Sequence, residues 1–449
     1  MRGLATKDAD LAGKSTGDAA YESTRFWLFR PTAIKIIHMS VPTPELRAGA
    51  RALISAGLLC VTASFVFAQT PSATNLSRSF PPGACGPADS AYIHTANETG
   101  GIPMFLQRSE AGKAFHLARE STRSNIATVF WATGTLNGKP QTINIPVDSV
   151  TQRITFAFSV DSKGSELELT QPSGRAITEG LAGTEVTELN CGRILTIPSP
   201  EAGEWRAEIT GTGRYWLEAQ AQSDIYFISV EFVKLGGRPA HEGLFRIQGQ
   251  PVAGTPATLQ ASLSAAATKT AEFYLVTEAG QAIQKLQLHP ENSDRKFLEF
   301  VGSVDLPNVP FRVAVMGRDS SGRQYQRFFS SLFHAESVEV SPKLDFDELT
   351  AGSIAHAAFR VRNIGAPRIF NIAVTDAHKF VSEVEPKQLT LAAGESAIVR
   401  VDLAVPAGTA AGIGDDVVIV AASAAGPPTS NSSVVHFSVS SSTAAPNPP

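Results

Sequence analysis

From Asn125 onward, apolar and polar residues alternate with a period of two, the pattern of strands that bury one face. Ile143, Ile145 and Val147 alternate with polar neighbours, as do Ile154, Phe156, Phe158 and Val160. Trp205, Ala207 and Ile209 continue the pattern, followed by Tyr215, Leu217 and Ala219. Further strands are predicted at 272–278, 283–288, 311–316 and 324–329. Asp319-Ser320-Ser321-Gly322 reads as the hairpin turn between the last two. Later, Ala357, Phe359 and Val361 share one face with His356, Arg360 and Arg362 opposite, and Ala397, Val399, Val401, Leu403 and Val405 repeat this. A helical period is found in 109–123, where Ala111, Ala114, Phe115 and Ala118 recur on one side.

Short alternating strands with turn residues between them predict an all-β fold: tandem antiparallel β-sandwich domains, immunoglobulin-like or jelly-roll-like, with one short helix near the mature N-terminus. The predicted domains are a leader over 1–68, a lead-in with strand and helix over 69–124, and sandwiches over 125–236, 237–336 and 337–440. Gly236-Gly237-Arg238-Pro239 marks the first sandwich boundary, and the Ser/Pro-rich tail over 441–449 is expected to be disordered.

The longest apolar run, Ala52 to Ala68, follows Arg47 and Arg51 and ends in small residues before Gln69. That order predicts a secretory signal peptide cleaved between Ala68 and Gln69. The run holds 17 residues, with Ser, Thr and Cys among them, short of the roughly 20 a spanning helix needs. The mature chain is therefore expected to lack a membrane span; a retained N-terminal anchor is the alternative reading. Met39 stands where the initiator of such a peptide would.

Composition narrows the class. Lys+Arg 38 against Asp+Glu 42 gives a net charge of -4, so no basic field exists to attract nucleic acid. Of three cysteines, Cys60 leaves with the leader, and Cys85 and Cys191 remain. In an oxidising compartment they are expected to form a disulfide; two free buried thiols is the alternative.

Catalytic and metal motifs are absent from the sequence. None of the nine histidines stands three to five residues from another, so no local zinc motif exists and no metal or cofactor is expected. Gly13-Lys14-Ser15 fails as a phosphate loop because Asp8 replaces its first glycine. Asp161-Ser162-Lys163-Gly164-Ser165 and Asp319-Ser320-Ser321-Gly322-Arg323 resemble fragments of an Asp-x-Ser-x-Ser metal-adhesion motif, but Lys163 and Arg323 occupy required serine positions, and tight turns are expected. No serine sits on a strand-to-helix elbow, so no catalytic residue is assigned. Trp131, Trp205, Tyr215 and Trp216 could form a sugar-stacking platform. Alternation puts Tyr215 and Trp216 on opposite faces, so one should point outward; core packing is the competing reading. Asn75, Asn97 and Asn431 head glycosylation acceptor patterns.

Tyr92-Ile-His-Thr-Ala96-Asn-Glu-Thr99-Gly100-Gly101, followed by Met104-Phe105 and the helix, resembles the end of a von Willebrand factor A domain of the hemicentin type and its bacterial relatives. The resemblance continues through Ile145-Pro146-Val147, Pro172-Ser173-Gly174, Pro200 to Trp205, Pro251 to Pro256 and Val304 to Pro307. Its best stretch is Phe311 to Arg327, with Gly317-Arg-Asp319 and Tyr325-Gln326-Arg327, and it spans roughly 92–333. The third unit is similar to bacterial immunoglobulin-like modules, through Phe359 to Gly365, Leu389 to Glu395 and Val405-Pro406-Ala-Gly408. Family members carry a complete A domain upstream, with a cation-dependent adhesion site; here the signal peptide stands in its place, so that site maps onto no residue. What the resemblance implies is spacer-like β domains in an extracellular setting.

The reading is a secreted or periplasmic, non-catalytic β-sandwich protein acting in adhesion or envelope interaction, with protein or glycan partners. A carbohydrate- or polymer-binding accessory protein is the alternative, and an unrecognised secreted hydrolase the third.

Overall fold

The computed structural model describes residues 37–39, 85, 89–178, 183–236, 242–264, 267–293, 297–343 and 348–440. The cleavage site at Ala68 and Gln69, the acceptor pattern at Asn75 and the tail over 441–449 lie outside the described residues.

The described part begins with a helix–strand–helix segment. Helix α1, Ser90–Thr99, starts where the Asp89 carboxylate accepts from the Ala91 N–H and ends at Gly100 in the left-handed conformation, φ 72°. A Cβ at Gly100 would lie 2.3 Å from the Ser330 carbonyl oxygen, so glycine is required there on two counts. Strand Met104–Leu106 follows, buried at each position, and pairs in parallel with Ile37–Met39. Helix α2, Ala111–Ser121, comes next.

This segment departs from the sequence reading in two ways. The predicted single helix is two, because α1 lacks a clear apolar stripe and Ala96 is its one buried residue. In α2 the face is rotated from that predicted. Ala114, Leu117, Glu120 and Ser121 are buried, while Phe115 is 68% exposed.

Two sandwiches share a nine-stranded sheet. Its order is Ala282–Leu286, Thr268–Thr277, Phe311–Asp319, Gln324–Phe328, Ile126–Asn137, Thr212–Ser223, Thr151–Val160, Gly192–Pro198 and Glu185–Leu189. The two halves meet at one residue pair, Phe328 with Thr128. A three-stranded sheet (Gln141–Val147, Gly203–Thr210, Glu166–Thr170) covers the half formed by the first sandwich. A five-stranded sheet (Gly243–Arg246, Phe227–Gly236, Ala257–Ser264, Phe297–Val304, His289–Ser293) covers the other half.

Strand Phe227–Gly236, placed in the first sandwich by the boundary at 236, pairs with Ala257–Ser264 and so takes its partners from the second. The Gly/Pro cluster after it separates two strands of one sheet rather than two domains, since Gly236 pairs with Gly243. The third sandwich packs Val338–Pro342, Ile354–Asn363, Ser396–Ala404 and Val381–Glu385 against Gln388–Leu391, Arg368–Thr375, Gly414–Ser423 and Ser430–Ser438. Here the alternation of 354–363 is realised, with Ala357, Phe359 and Val361 in the core and His356, Arg360 and Arg362 outside.

Candidate functional site

The four aromatics proposed as a sugar platform are core residues. Trp131, Trp205, Tyr215 and Trp216 are 2%, 0%, 6% and 0% exposed, which removes the basis for stacking on them. Tyr215 and Trp216 do lie on opposite faces of their strand, as alternation dictates. Tyr215 and Trp205 join the sandwich core, where Trp205 packs on Phe156 at 5.8 Å between ring centroids. Trp131 and Trp216 point to the other face of the sheet, which the helical segment covers. Phe105 lies 5.7 Å from Trp216, whose Nε1 donates to Asn97 Oδ1 at 3.1 Å. Strand Thr151–Val160 shows the same three-layer arrangement: from Ile154 to Val160 every residue is buried, on both faces.

The helical segment is fastened to the sheet covalently and ionically. Cys85 and Cys191 form a disulfide with Cα atoms 5.9 Å apart. Glu110 accepts from the Gln107 and Asn190 N–H groups, holding the start of α2 beside Cys191. Arg312 reaches out of the second sandwich, donating to the Asn97 carbonyl at 2.5 Å and to the Ser330 carbonyl, with its guanidinium over the Trp131 ring at 4.9 Å. Burial pushes its pKa down to about 10, so it remains a cation at neutral pH. A cation at the C-terminus of α1 also complements the exposed carbonyls there.

A buried ion pair ties the first two sandwiches together. Arg327 Nη2 donates to Asp148 Oδ2 at 2.6 Å, both side chains being 0% exposed, and also to Ser223 Oγ; its Nε donates to the Ile225 carbonyl. The turn at Asp319 completes this junction. Burial opposes ionisation of Asp319, but hydrogen bonds from Ser149 and Ser321 outweigh it and hold the carboxyl below its usual range. The Asp319-Ser320-Ser321-Gly322-Arg323 sequence is therefore a satisfied turn. Among the described residues no group of three His, Cys, Asp or Glu side chains could hold a metal ion.

Two acceptor patterns are occupied by the fold itself. Asn97 binds Trp216, and the 5% exposed Asn431 donates to the Gln250 and Val338 carbonyls. A glycan on the Asn431 nitrogen would require its two donated bonds to break.

His116 is an imidazole with hydroxyl partners, 3.3 Å from Thr187 Oγ1 and 3.2 Å from Thr196 Oγ1. Burial lowers its pKa, and it lies between α2 and the sheet with Thr196 fully buried.

His334 behaves differently. Its Nε2 lies 2.8 Å and 2.9 Å from the two Glu98 oxygens, tying α1 to the segment between the second and third sandwiches. The hydrogen bond to Glu98 raises its pKa. A raised histidine stabilises fully below its unfolded value of about 6.5 and loses that contribution as pH rises through the folded value. We therefore expect the wild-type urea midpoint to fall more from pH 5.5 to 8.5 than that of His334→Gln. Equal slopes would refute the pair's contribution.

Sequence reasoning missed Arg312, Arg327 and His334. A signal did exist for Arg327: it shares strand parity with Tyr325, so an arginine occupies an inward position. Its partner Asp148 is 179 residues away and carries no local signature.

These geometries agree with the comparisons to known proteins. A hemicentin galactose-binding domain-like model matches residues 128–224, which is the first sandwich. A VWA7 Ig-like domain model matches residues 341–441, the third sandwich. Hemicentin-1 of Mus musculus is 23% identical over 271 residues, covering 58% of this chain, and that of Homo sapiens is 22% identical over the same length. The chain is hemicentin-like. The hemicentin-like chain spans only 4% of the length of either relative. Among solved structures, Bacillus licheniformis lipase BlEst2 in propeptide form aligns over 53% of this chain and 42% of its own, at 10% identity and a TM-score of 0.22. That likeness is too loose to bear on function.

Proposed function

We propose that this chain works outside the cytoplasm as a non-catalytic interaction protein of adhesion type. The observation that carries the reading is the hemicentin-like match, over residues 128–224 for the domain model and over 58% of the chain for hemicentin-1, realised as an all-β fold. The Cys85–Cys191 disulfide supports an oxidising compartment. The signal peptide ending at Ala68 supplies the route, with export to the medium or the periplasm as the two destinations. No helix among the described residues is long and apolar enough to cross a membrane.

The relation to a von Willebrand factor A domain belongs to this proposal. Strand Met104–Leu106 followed by α2 is the strand-and-helix order expected of such a domain's end. Glycans are the second class of partner, favoured by the galactose-binding-like description of the matched domain. Contacts would then come from loops and sheet edges, because Trp131, Trp205, Tyr215 and Trp216 are enclosed. Binding of the purified chain to immobilised matrix proteins and glycans tests the proposal; saturable capture supports it and uniform absence of binding contradicts it.

A further inference from the structure

The five-stranded sheet of the second sandwich ends in an open edge. Strand Gly243–Arg246 pairs with Phe227–Gly236 on one side, and among the described residues no strand pairs on its other side. The opposite edge of the sheet, His289–Ser293, carries Pro290, and proline on an edge discourages further pairing. Gly243–Arg246 has no such guard and sits among exposed apolar side chains. Phe245 is 49% exposed. Leu235, which stands opposite Leu244, is 75% exposed, more than any other large apolar side chain among the described residues.

The direction of the backbone groups on this edge limits how it can pair. The Ile247 N–H donates to the Phe232 carbonyl. In an antiparallel ladder, residues that bond the neighbouring strand alternate with residues whose N–H and C=O point away from it. Phe245 and Gly243 therefore face Phe227–Gly236, while Leu244 and Arg246 turn their backbone groups to the open side, with Glu242 next in the alternation. An identical strand, laid antiparallel with a two-fold axis at Leu244, meets those groups in register. Leu244 then faces the partner's Leu244, and Glu242 faces the partner's Arg246 on both sides of the axis. An axis at Gly243 or at Phe245 would take Glu242 away from Arg246.

We propose that a second copy of this chain docks on the Gly243–Arg246 edge and continues the sheet across that two-fold axis. Backbone hydrogen bonds supply the attraction, and the two Glu242–Arg246 pairs select the register. Arg246 is free to make its pair, because its contact within the chain, to Glu231, is 3.8 Å long, beyond hydrogen-bond distance. Leu235 and Leu244 of each copy form one apolar row across four strands. Phe245 comes opposite the partner's Gly243, which leaves room for its ring. The contact is only a few residues long, small beside the interfaces of permanent dimers, so association is reversible and in the micromolar range.

Sedimentation equilibrium of the purified full chain, from micromolar to submillimolar concentration, is expected to show an average mass rising from one chain toward two. Glu242→Arg sets two arginines opposite each other on both sides of the axis, and Arg246→Glu does the same with glutamates. Each should weaken association at least about tenfold. The double variant Glu242→Arg/Arg246→Glu restores both pairs and should dimerise as the wild type does. Both positions are exposed, so each variant should keep the wild-type circular dichroism. Wild-type protein that stays a single chain throughout would overturn the proposal. So would single variants that associate as strongly as the wild type, or a double variant that fails to recover. Capture on matrix proteins or glycans is read separately, so a monomeric chain would leave the interaction reading intact.

Discussion

Arg327→Met should destabilise the chain by about 3–5 kcal/mol, the usual cost of stranding one member of a buried ion pair. Asp148 and Arg327 are both fully buried, and Asp148 Oδ2 receives its hydrogen bond from Arg327 Nη2. Asp148 Oδ1 is held separately by the Val150 N–H and the Thr151 hydroxyl, so the lost bond is not replaced locally. The Ser223 hydroxyl and Ile225 carbonyl, at the hand-over between the first two sandwiches, lose a donor as well. Urea unfolding measures the change. The double variant Asp148→Asn with Arg327→Met should recover part of the loss, because the uncompensated charge is gone. A loss under about 1 kcal/mol in the single variant would show that the pair does not hold the junction.

Removing the disulfide should cost about 2–5 kcal/mol, because Cys85 and Cys191 close a loop with a sequence separation of 106. Alanine is the right replacement at Cys191, which is 3% exposed in the apolar cluster beneath the helices and would be a poor site for serine. Part of the loss should be local. With Cys85 released, α1 is still held by the Trp216–Asn97 and Arg312–Asn97 bonds, but the covalent tie just before it is lost. Amide exchange should therefore accelerate first in 89–106, ahead of strands such as Thr212–Ser223. An unchanged unfolding midpoint in Cys85→Ala/Cys191→Ala would contradict the fastening role.

Fold class was legible because period-two alternation reports directly on which face of a strand is buried. That logic worked for 354–363, where one face meets the core and the other meets solvent. It failed at Trp216 because alternation says only that two faces differ, not that one is wet. The covering layer comes from α1 and α2, and α1 was hidden by its composition: Tyr92, Ile93, Thr95 and Thr99 carry little helix propensity. Its punctuation was readable, with Asp89 at the start and Gly100-Gly101 at the end. Phe115 misled in a similar way, since an aromatic at helical spacing looks inward while the buried stripe runs through Ala114, Leu117 and Ser121. The junction residues were the least legible, because the partners of Arg327 and Arg312 are distant in sequence and each pairing exists only once the sandwiches have formed.

The interaction reading meets its most direct test in the full chain, exported and purified without reductant, applied to arrays of immobilised matrix proteins and glycans. The account predicts saturable binding to a small set of these surfaces. It also predicts that the four enclosed aromatics play no direct part, so sugar addition should leave tryptophan fluorescence unchanged. Absence of binding to every surface, together with covalent labelling of the chain by a serine-hydrolase probe, would contradict it.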